Sequence, residues 1–181
     1  MKTQVLMFHH DFQHSKVNKI LFEQAQLLKN VKARNIYAEY TNFKINVEQE
    51  HRYLDRSDRI VLQFPMTWYS CPALLKQWED SVFTAGYAFG NVHKLKNKEL
   101  LIAVTVGAHE ENYLHQNNHY TVKDLLQPFQ ALAQYLQMRY LQPFIVCGAS
   151  HLTDKQLQDK QFEYKRVLLN NEIKEEPIIF S

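Results

Sequence analysis

The sequence predicts a doubly wound α/β domain in which helices cover both faces of a five-stranded parallel sheet. Short apolar runs recur along the chain, and amphipathic segments of helical period alternate with them. The runs are continuously apolar rather than alternating, which is typical of parallel strands buried on both faces. The length of 181 residues suits one domain, 1–181, with a peripheral tail over about 172–181.

Five segments are predicted to be strands. In chain order they are residues 5–8 (VLMF), 31–38 (VKARNIYA), 59–64 (RIVLQF), 99–106 (ELLIAVTV) and 141–147 (LQPFIVC). The second segment alternates apolar with polar residues, as an outer strand does, and the fifth has Pro143 near its start.

Five helices alternate with these strands. Their predicted ranges are 16–30, 46–56, 72–83, 121–138 and 154–169. Pro72 stands at a first helical position, where proline is favoured, and Thr153 is a good N-cap for the last helix. The apolar spacing is clearest over 121–138.

The composition indicates which cellular compartment and which classes of partner to expect. The formal net charge of +2, with dispersed basic residues, does not favour a nucleic acid or an anionic membrane as partner. Two cysteines, Cys71 and Cys147, cannot form a disulfide framework and fit a reducing compartment. No apolar run approaches the roughly 18 residues of a membrane span or forms the core of a signal peptide. The sequence therefore indicates a cytoplasmic protein with no nucleic-acid partner.

The stretch FHHDFQHSKVN, residues 8–18, connects the first strand to the first helix. In a doubly wound sheet, ligands bind beyond the carboxyl ends of the strands, where this stretch lies. Ser15 is predicted to be the N-cap, with Asn18 in the first turn and His9 close by. Free amide hydrogens at a helix N-terminus favour an anion, so a phosphate is one hypothesis and an ordinary polar loop is the other.

A metal site is disfavoured at both histidine clusters. His9 and His10 are adjacent and point to opposite sides in an extended chain, and no carboxylate or cysteine stands at helical spacing from His14. His115 and His119 are four residues apart, but the glutamate of the zinc motif HExxH is missing. No metal ligand is predicted.

A second informative stretch, QFPMTWYSCPALLKQWEDSVFTAGYAFG, follows the third strand. Its loop presents Trp68 and Tyr69 at the carboxyl edge of the sheet, either as packing residues or as a surface for a planar heterocycle. The segment resembles the flavodoxin-like NAD(P)H:quinone oxidoreductases, above all short bacterial members such as the ancillary subunits of glutathione-regulated potassium efflux systems. The residues that match the family pattern are Gln63, Pro65, Met66, Trp68, Tyr69, Ser70, Pro72, Leu75, Lys76, Trp78, Asp80, Val82, Phe83, Gly86, Ala88 and Phe89, with His9, Ser15 and Asn18 in the first loop.

The resemblance extends to about residue 170 and implies a flavin site built from three loops. The residues expected to hold the flavin phosphate are His9, Ser15, Lys16, Val17 and Asn18. Those expected against the flavin ring are Pro65, Met66, Thr67, Trp68 and Tyr69. Those expected to complete the site are Val106, Gly107, Ala108 and His109, where TVGAH replaces the usual TTGGG or TTGGS. The expected catalytic pair is Tyr113 and His119, six and twelve residues past Gly107.

The resemblance also implies the activity and the partners. It implies a ping-pong quinone reductase that uses NAD(P)H and is a homodimer. FMN is expected rather than FAD, because the short chain offers little beyond the phosphate loop to bind an adenosine. One alternative is a flavin-binding ancillary subunit on a membrane potassium efflux transporter, held at the inner face of the membrane by that partner. Another is a thiol enzyme using Cys71, which precedes Pro72 at a helix N-terminus.

Overall fold

The structure, a computed structural model, describes residues 1–113 and 120–177. The strands are β1 (Thr3–Met7), β2 (Val31–Asn35), β3 (Arg59–Pro65), β4 (Glu99–Thr105), β5 (Arg139–Tyr140) and β6 (Phe144–Val146). The helices are α1 (Val17–Gln26), α2 (Ile36–Glu39), α3 (Val47–Asp55), α4 (Ala73–Val82), α5 (Val122–Leu125), α6 (Gln127–Tyr135) and α7 (Asp154–Leu169). Two 3-10 turns cover Phe12–His14 and Glu110–Tyr113.

The strands form one parallel sheet in the order β2-β1-β3-β4-β5, and β6 also pairs with β4. β5 and β6 therefore occupy one strand position that is interrupted near Pro143, which has no N–H to donate to the ladder. The five-position parallel sheet predicted from the sequence is confirmed. The strand order is that of flavodoxin.

Helices cover both faces of the sheet, as a doubly wound fold requires. Side chains of α1 and α7 pack with Val5, Val61 and Leu101 on one face. Side chains of α4, α5 and α6 pack with the alternate strand residues, such as Leu6 and Leu62, on the other face. Because successive residues of a strand point to opposite faces, continuous apolar strands supply both cores at once.

Several predicted elements differ from their patterns, and the first helix ends at Gln26 rather than at residue 30. The second strand stops at Asn35, whose side chain accepts a hydrogen bond of 3.2 Å from the backbone N–H of Ala38 and so caps α2. The predicted helix 121–138 is divided at Leu126 into α5 and α6. Pro128 lies in the first turn of α6, where its missing N–H costs no intrahelical hydrogen bond.

The tail is less peripheral than the sequence indicates. The backbone N–H of Gln142 donates to the carbonyl oxygen of Lys174 at 3.0 Å, and that of Glu176 donates to Tyr140 at 3.0 Å. This antiparallel pairing covers the outer edge of β5, which would otherwise present unpaired backbone groups. Residues 178–181 lie outside the described part of the chain.

Among the described residues, no helix combines the length and the apolar character needed to cross a membrane.

Candidate active site

Three loops meet at the carboxyl edge of the sheet. They follow β1, β3 and β4, which are neighbours in the sheet and run in the same direction. The chain leaves β1 for β2 on one side and returns to β3 on the other, so the first two loops flank the switch point where doubly wound folds bind ligands. The structure therefore brings together the three loops that the sequence predicts to form the site.

The loop after β1 holds a pair of stacked histidines. The rings of His9 and His10 have centroids 5.5 Å apart and an interplanar angle of 18°. The prediction that they point to opposite sides is wrong, because the chain is no longer extended after Met7. The Nδ1 atom of His9 accepts a hydrogen bond of 3.1 Å from the backbone N–H of Asp11, so a neutral His9 carries its proton on Nε2. Burial lowers the pKa of His9, and the neighbouring His10 lowers it further.

Helix α1 begins without a side-chain cap. Its N-cap is Lys16 rather than Ser15, because the backbone N–H of Ser15 closes the 3-10 turn on Phe12 at 3.1 Å. The prediction that Ser15 caps the helix is therefore wrong. In the described part of the chain the Ser15 hydroxyl has no hydrogen-bonding partner, and the first amide hydrogens of α1, from Val17 onward, have no intrahelical acceptor. Both kinds of donor suit an anion. The Nζ atom of Lys16 contacts Asp154 Oδ1 at 3.0 Å, at the start of α7.

Asn18 faces the interior rather than the loop. Its side chain is buried, and its Nδ2 atom donates a hydrogen bond of 2.8 Å to Thr105 Oγ1. Gln63 Nε2 donates to the backbone oxygen of Asn18 at 2.9 Å, and Tyr164 donates to Gln63 Oε1 at 3.1 Å. Its amide joins α1 to β3 and β4, so the part of Asn18 in binding the cofactor phosphate stays a prediction. One signal of this network is visible in the sequence, a glutamine inside an apolar strand.

Residues 67–70, here called the aromatic turn, present two rings to solvent. The backbone of Thr67 and Ser70 forms two hydrogen bonds of 2.9 and 3.0 Å, and Trp68 and Tyr69 between them have φ values of 49° and 63°. Two central residues with positive φ define a type I′ turn, which ordinarily takes Asn and Gly. Trp68 is 91% exposed and Tyr69 is 58% exposed. Left-handed bulky residues are costly and cluster at functional sites.

The loop after β4 is fastened to the loop after β6. The backbone N–H of Gly148 donates to the carbonyl oxygen of Ala108 at 2.7 Å. The His109 ring stacks on His151 at 5.2 Å and lies so close to Gly148 that a Cβ there would sit 3.1 Å from its Nδ1 atom. The side chain of His109 is therefore turned toward the loop after β6. Gly107 is exposed, between Val106 and Ala108.

Tyr113 follows the loop after β4 and lies within electrostatic range of the aromatic turn. Burial raises the pKa of the half-buried Tyr113 phenol, and the nearby Tyr69 and Cys147 raise it further. Its neighbours therefore include one ring of the aromatic turn. His119 lies outside the described residues, so the predicted pairing of Tyr113 with His119 stays a prediction.

Two concave surfaces lie beside the loops of this edge. The first, the β4–β6 cleft, has a volume of about 670 Å³ and is lined by His109, Tyr113 and Cys147, among others. The second, the α4–α6 groove, has a volume of about 490 Å³ and is lined by Met66, Tyr69 and residues of α4, α5 and α6. Both volumes lie in the range of small-molecule sites. The loop after β1 lines neither of them.

The alternative of a thiol enzyme loses support. Burial raises the pKa of the Cys71 thiol, and the neighbouring Glu79 raises it further. A catalytic thiol requires the opposite shift, because the thiolate is the nucleophile. Within residues 1–113 and 120–177, no group of three or more His, Cys, Asp or Glu side chains is arranged to hold a metal ion.

Sequence comparison finds relatives that match along most of this chain. The uncharacterized NAD(P)H oxidoreductase YrkL of Bacillus subtilis is 43% identical over 161 residues, which are 88% of this chain and 92% of that protein. The glutathione-regulated potassium-efflux system ancillary protein KefF of an Enterobacter species is 39% identical over 168 residues, or 92% of this chain and 95% of that protein.

Solved structures with the same fold include three with at least 30% identity. A chain described as a thermophilic tryptophan halogenase from Streptomycin violaceusniger has a TM-score of 0.91 and 36% identity, covering 93% of this chain and 99% of that one. An NADPH-quinone reductase from P. pentosaceus has a TM-score of 0.86 and 31% identity, covering 95% and 100%. General stress protein 14 of Treponema denticola in complex with FMN has a TM-score of 0.84 and 30% identity, covering 93% and 96%.

The sequence model of one protein family spans almost the entire domain. It is described as flavodoxin-like fold and matches residues 1–168. This range includes all three loops of the carboxyl edge and the strand order that places them together. The chain therefore belongs to the family with the flavodoxin-like fold, as the residues of its first two loops predict.

Proposed function

We propose that this protein is an FMN-dependent NAD(P)H:quinone oxidoreductase. The observation that carries the proposal is the aromatic turn. It holds Trp68 and Tyr69 exposed at the carboxyl edge of the sheet, beside the switch point, although both residues have a left-handed backbone conformation. The name of YrkL, the quinone reductase of P. pentosaceus and the FMN complex from T. denticola support the same activity and cofactor.

The residues at this edge fit FMN. Around the start of α1, the hydroxyl of Ser15, the first amide hydrogens of the helix and Nε2–H of His9 are donors suited to a phosphate. The exposed rings of Trp68 and Tyr69 offer apolar faces on which a planar heterocycle stacks. These donors serve one phosphate and these rings serve one heterocycle. FMN is favoured over FAD because FAD would need further groups for a second phosphate and an adenosine.

When bound, FMN would accept a hydride from NAD(P)H and deliver it to a quinone. The protein's contribution is position and electrostatics. Trp68 and Tyr69 would orient the stacked rings. The Tyr113 phenol, whose pKa is raised by burial, stays protonated and serves as a hydrogen-bond donor. Since one pocket serves both substrates in turn, the kinetics are ping-pong.

The partners follow from the same family. We propose a homodimer, and the apolar α4–α6 groove beside the aromatic turn is a surface that a second copy would cover. We place the protein in the cytoplasm. The 39% identity to KefF favours a second candidate function, an ancillary subunit of a glutathione-regulated potassium efflux transporter, in which flavin binding regulates the partner.

The test is quinone-dependent oxidation of NAD(P)H by purified protein loaded with FMN. We expect turnover with parallel lines in double-reciprocal plots, and a loss of at least about tenfold in kcat/KM for Trp68→Ala with Tyr69→Ala. Phe162→Ala is the matched control, because Phe162 on α7 is also exposed, at 66%, and lies outside the site. FMN binding without turnover would favour the ancillary-subunit function, and chlorination of tryptophan would favour the halogenase name.

A further inference from the structure

Glu79 on α4 is a buried carboxyl group without a full set of partners. Its side chain is 9% exposed, and among the described residues its Oε1 atom has no hydrogen-bonding partner. Oε2 lies 3.7 Å from Nζ of Lys76, but that ammonium is 2.6 Å from the exposed Asp80 and is directed there. A buried carboxylate oxygen without a donor is costly, so its presence points to a missing partner group.

The α4–α6 groove is the space that Glu79 faces. Its walls are mostly apolar, from Met66 and Tyr69 on one side and residues of α5 and α6 such as Phe129 and Leu132 on the other. A group that fills it needs an apolar stem and a cationic or donor end. A lysine has this form, since its four methylenes pack on apolar surface while the ammonium makes a charge-assisted hydrogen bond.

We propose that a second copy of this chain occupies the groove, with Lys76 of each copy inserted beside Glu79 of the other. The inference rests on the homodimer proposed above and names its interface. The two reciprocal pairs complete a site that each copy leaves open. Lys76 is 62% exposed at the mouth of the groove, and turning outward costs it only the exposed ion pair with Asp80 and the long contact with Glu79 of its own chain.

The spacing of the two residues suits a two-fold axis. Lys76 and Glu79 are three residues apart on α4 and share one face of it. If two α4 helices meet antiparallel about an axis between these positions, residue 76 of each copy faces residue 79 of the other. An isologous contact thus forms the same ion pair twice, which is the charge complementarity that a two-fold dimer requires.

The opposite wall of the groove supports a protein partner. Helix α6 has the sequence QPFQALAQY and contains no charged residue, although Pro128, Ala131 and Tyr135 are exposed. Exposed helix surfaces ordinarily carry charges, and depletion of charge is typical of the covered centre of an interface.

The ion pair gives the association a pH dependence of definite sign. Burial raises the pKa of Glu79 to about 7, with Lys76 lowering it and Asp80 raising it. The other groups that share the groove are the thiol of Cys71, whose pKa is raised, and the phenols of Tyr69 and Tyr135. A second ammonium favours the ionised form of Glu79 and lowers its pKa in the dimer. Association therefore strengthens as pH rises through about 7, and the gain levels off above it.

Sedimentation equilibrium of the full chain, with and without FMN, at pH 6 and pH 8 tests this. We expect tighter dimers at pH 8, and at least about tenfold weaker dimers for Lys76→Glu or Glu79→Lys alone. The double variant Lys76→Glu with Glu79→Lys should recover dimer affinity, because it restores both pairs with the charges exchanged. If Glu79→Lys does not fold, Glu79→Gln is the substitute variant. It keeps the shape of the side chain, cannot ionise, and should remove the pH dependence of dimer affinity.

The matched control is Glu48→Arg with Arg52→Glu, which exchanges an exposed pair on α3 and should leave association unchanged. A monomer under all conditions would overturn this inference and the proposed homodimer. Quinone reduction measured on the same protein tests the proposed activity independently of the dimer. A dimer that is indifferent to the single charge reversals, or that weakens from pH 6 to pH 8, overturns the reciprocal pairs alone.

Discussion

The side-chain amide of Asn18 donates a hydrogen bond of 2.8 Å to the hydroxyl of Thr105, which joins the start of helix α1 to the end of strand β4. Both residues are buried, and Gln63 donates to the backbone oxygen of Asn18 from the strand between them. The position of the loop after β1 relative to the loop after β4 is therefore fixed from inside the protein.

Asn18→Ala and Ser15→Ala should consequently have different effects. Removing the Asn18 amide takes its donor away from the buried Thr105 hydroxyl and removes the 3.3 Å hydrogen bond that Gln63 Nε2 donates to Asn18 Oδ1, so we expect the free energy of unfolding to fall by about 1–3 kcal/mol. Ser15→Ala removes a half-buried hydroxyl that has no partner within residues 1–113 and 120–177, so it should leave stability unchanged while FMN binding weakens by about 1–2 kcal/mol. Urea unfolding without FMN and FMN titration separate the two. Equal losses of stability in both variants would contradict this division of roles.

The contrast between Ser15 and Asn18 shows what the sequence could predict. The spacing of apolar runs predicts the sheet, and the resemblance of the loops predicts which segments meet at its carboxyl edge. Neither indicates which way a polar side chain turns. Asn18 is directed inward by Thr105, which is 87 residues away in the chain. Ser15 does not cap α1 because a 3-10 turn ends on it. The capping preference of serine does not predict that turn.

The aromatic turn illustrates the same limit from another side. The sequence TWYS contains neither glycine nor asparagine, so turn statistics do not predict a type I′ turn there. The family resemblance predicts the place of Trp68 and Tyr69, but their left-handed backbone is visible only in the structure.

Trp68→Asn with Tyr69→Gly should stabilise the protein and impair the site. Asn and Gly adopt positive φ at little cost, whereas bulky residues pay about 1 kcal/mol or more each, so we expect a gain of about 1–2 kcal/mol in the free energy of unfolding. Loss of both rings should weaken FMN binding at least tenfold, on the order of 1.4 kcal/mol. Thermal unfolding and FMN titration give the two numbers. A variant that is both less stable and weaker in binding would show that the turn conformation stores no strain.

Gly148→Ala should destabilise the loop after β6 through His109. Gly148 has φ of 65°, and an added Cβ would lie 3.1 Å from His109 Nδ1. The left-handed backbone alone costs about 1–2 kcal/mol for alanine, and the contact with the ring adds to it. His109→Ala should relieve the contact and leave the backbone cost. A double-mutant cycle by urea unfolding checks this, and strict additivity of the two substitutions would mean that the ring is not held against Gly148.

His9 should make both stability and FMN binding depend on pH. Burial and His10 lower the pKa of His9 from 6.5, so below that pH the unfolded chain binds a proton that the folded protein resists. Stability without FMN should therefore fall as pH drops below about 6.5, and His9→Gln should remove that part of the loss. His14→Gln is the control, because His14 is exposed in the same loop and pairs with Asp11.

A bound phosphate reverses the sign of this dependence. A dianion beside Nε2 of His9 favours the imidazolium and raises its pKa, so binding takes up a proton and strengthens as pH falls from 8 to 6. The phosphate itself gains a proton near pH 6, which also changes FMN binding. The wild type must therefore be compared with His9→Gln, in which the phosphate titrates in the same way but the imidazole is absent.

Riboflavin, which has no phosphate, measures the pH dependence of binding of the ring system alone. We expect the ratio of FMN to riboflavin affinity to rise about threefold or more toward pH 6 in the wild type, relative to His9→Gln. Isothermal titration calorimetry in two buffers of different ionisation enthalpy counts the proton directly. A ratio with the same pH dependence in His9→Gln would place the phosphate away from His9.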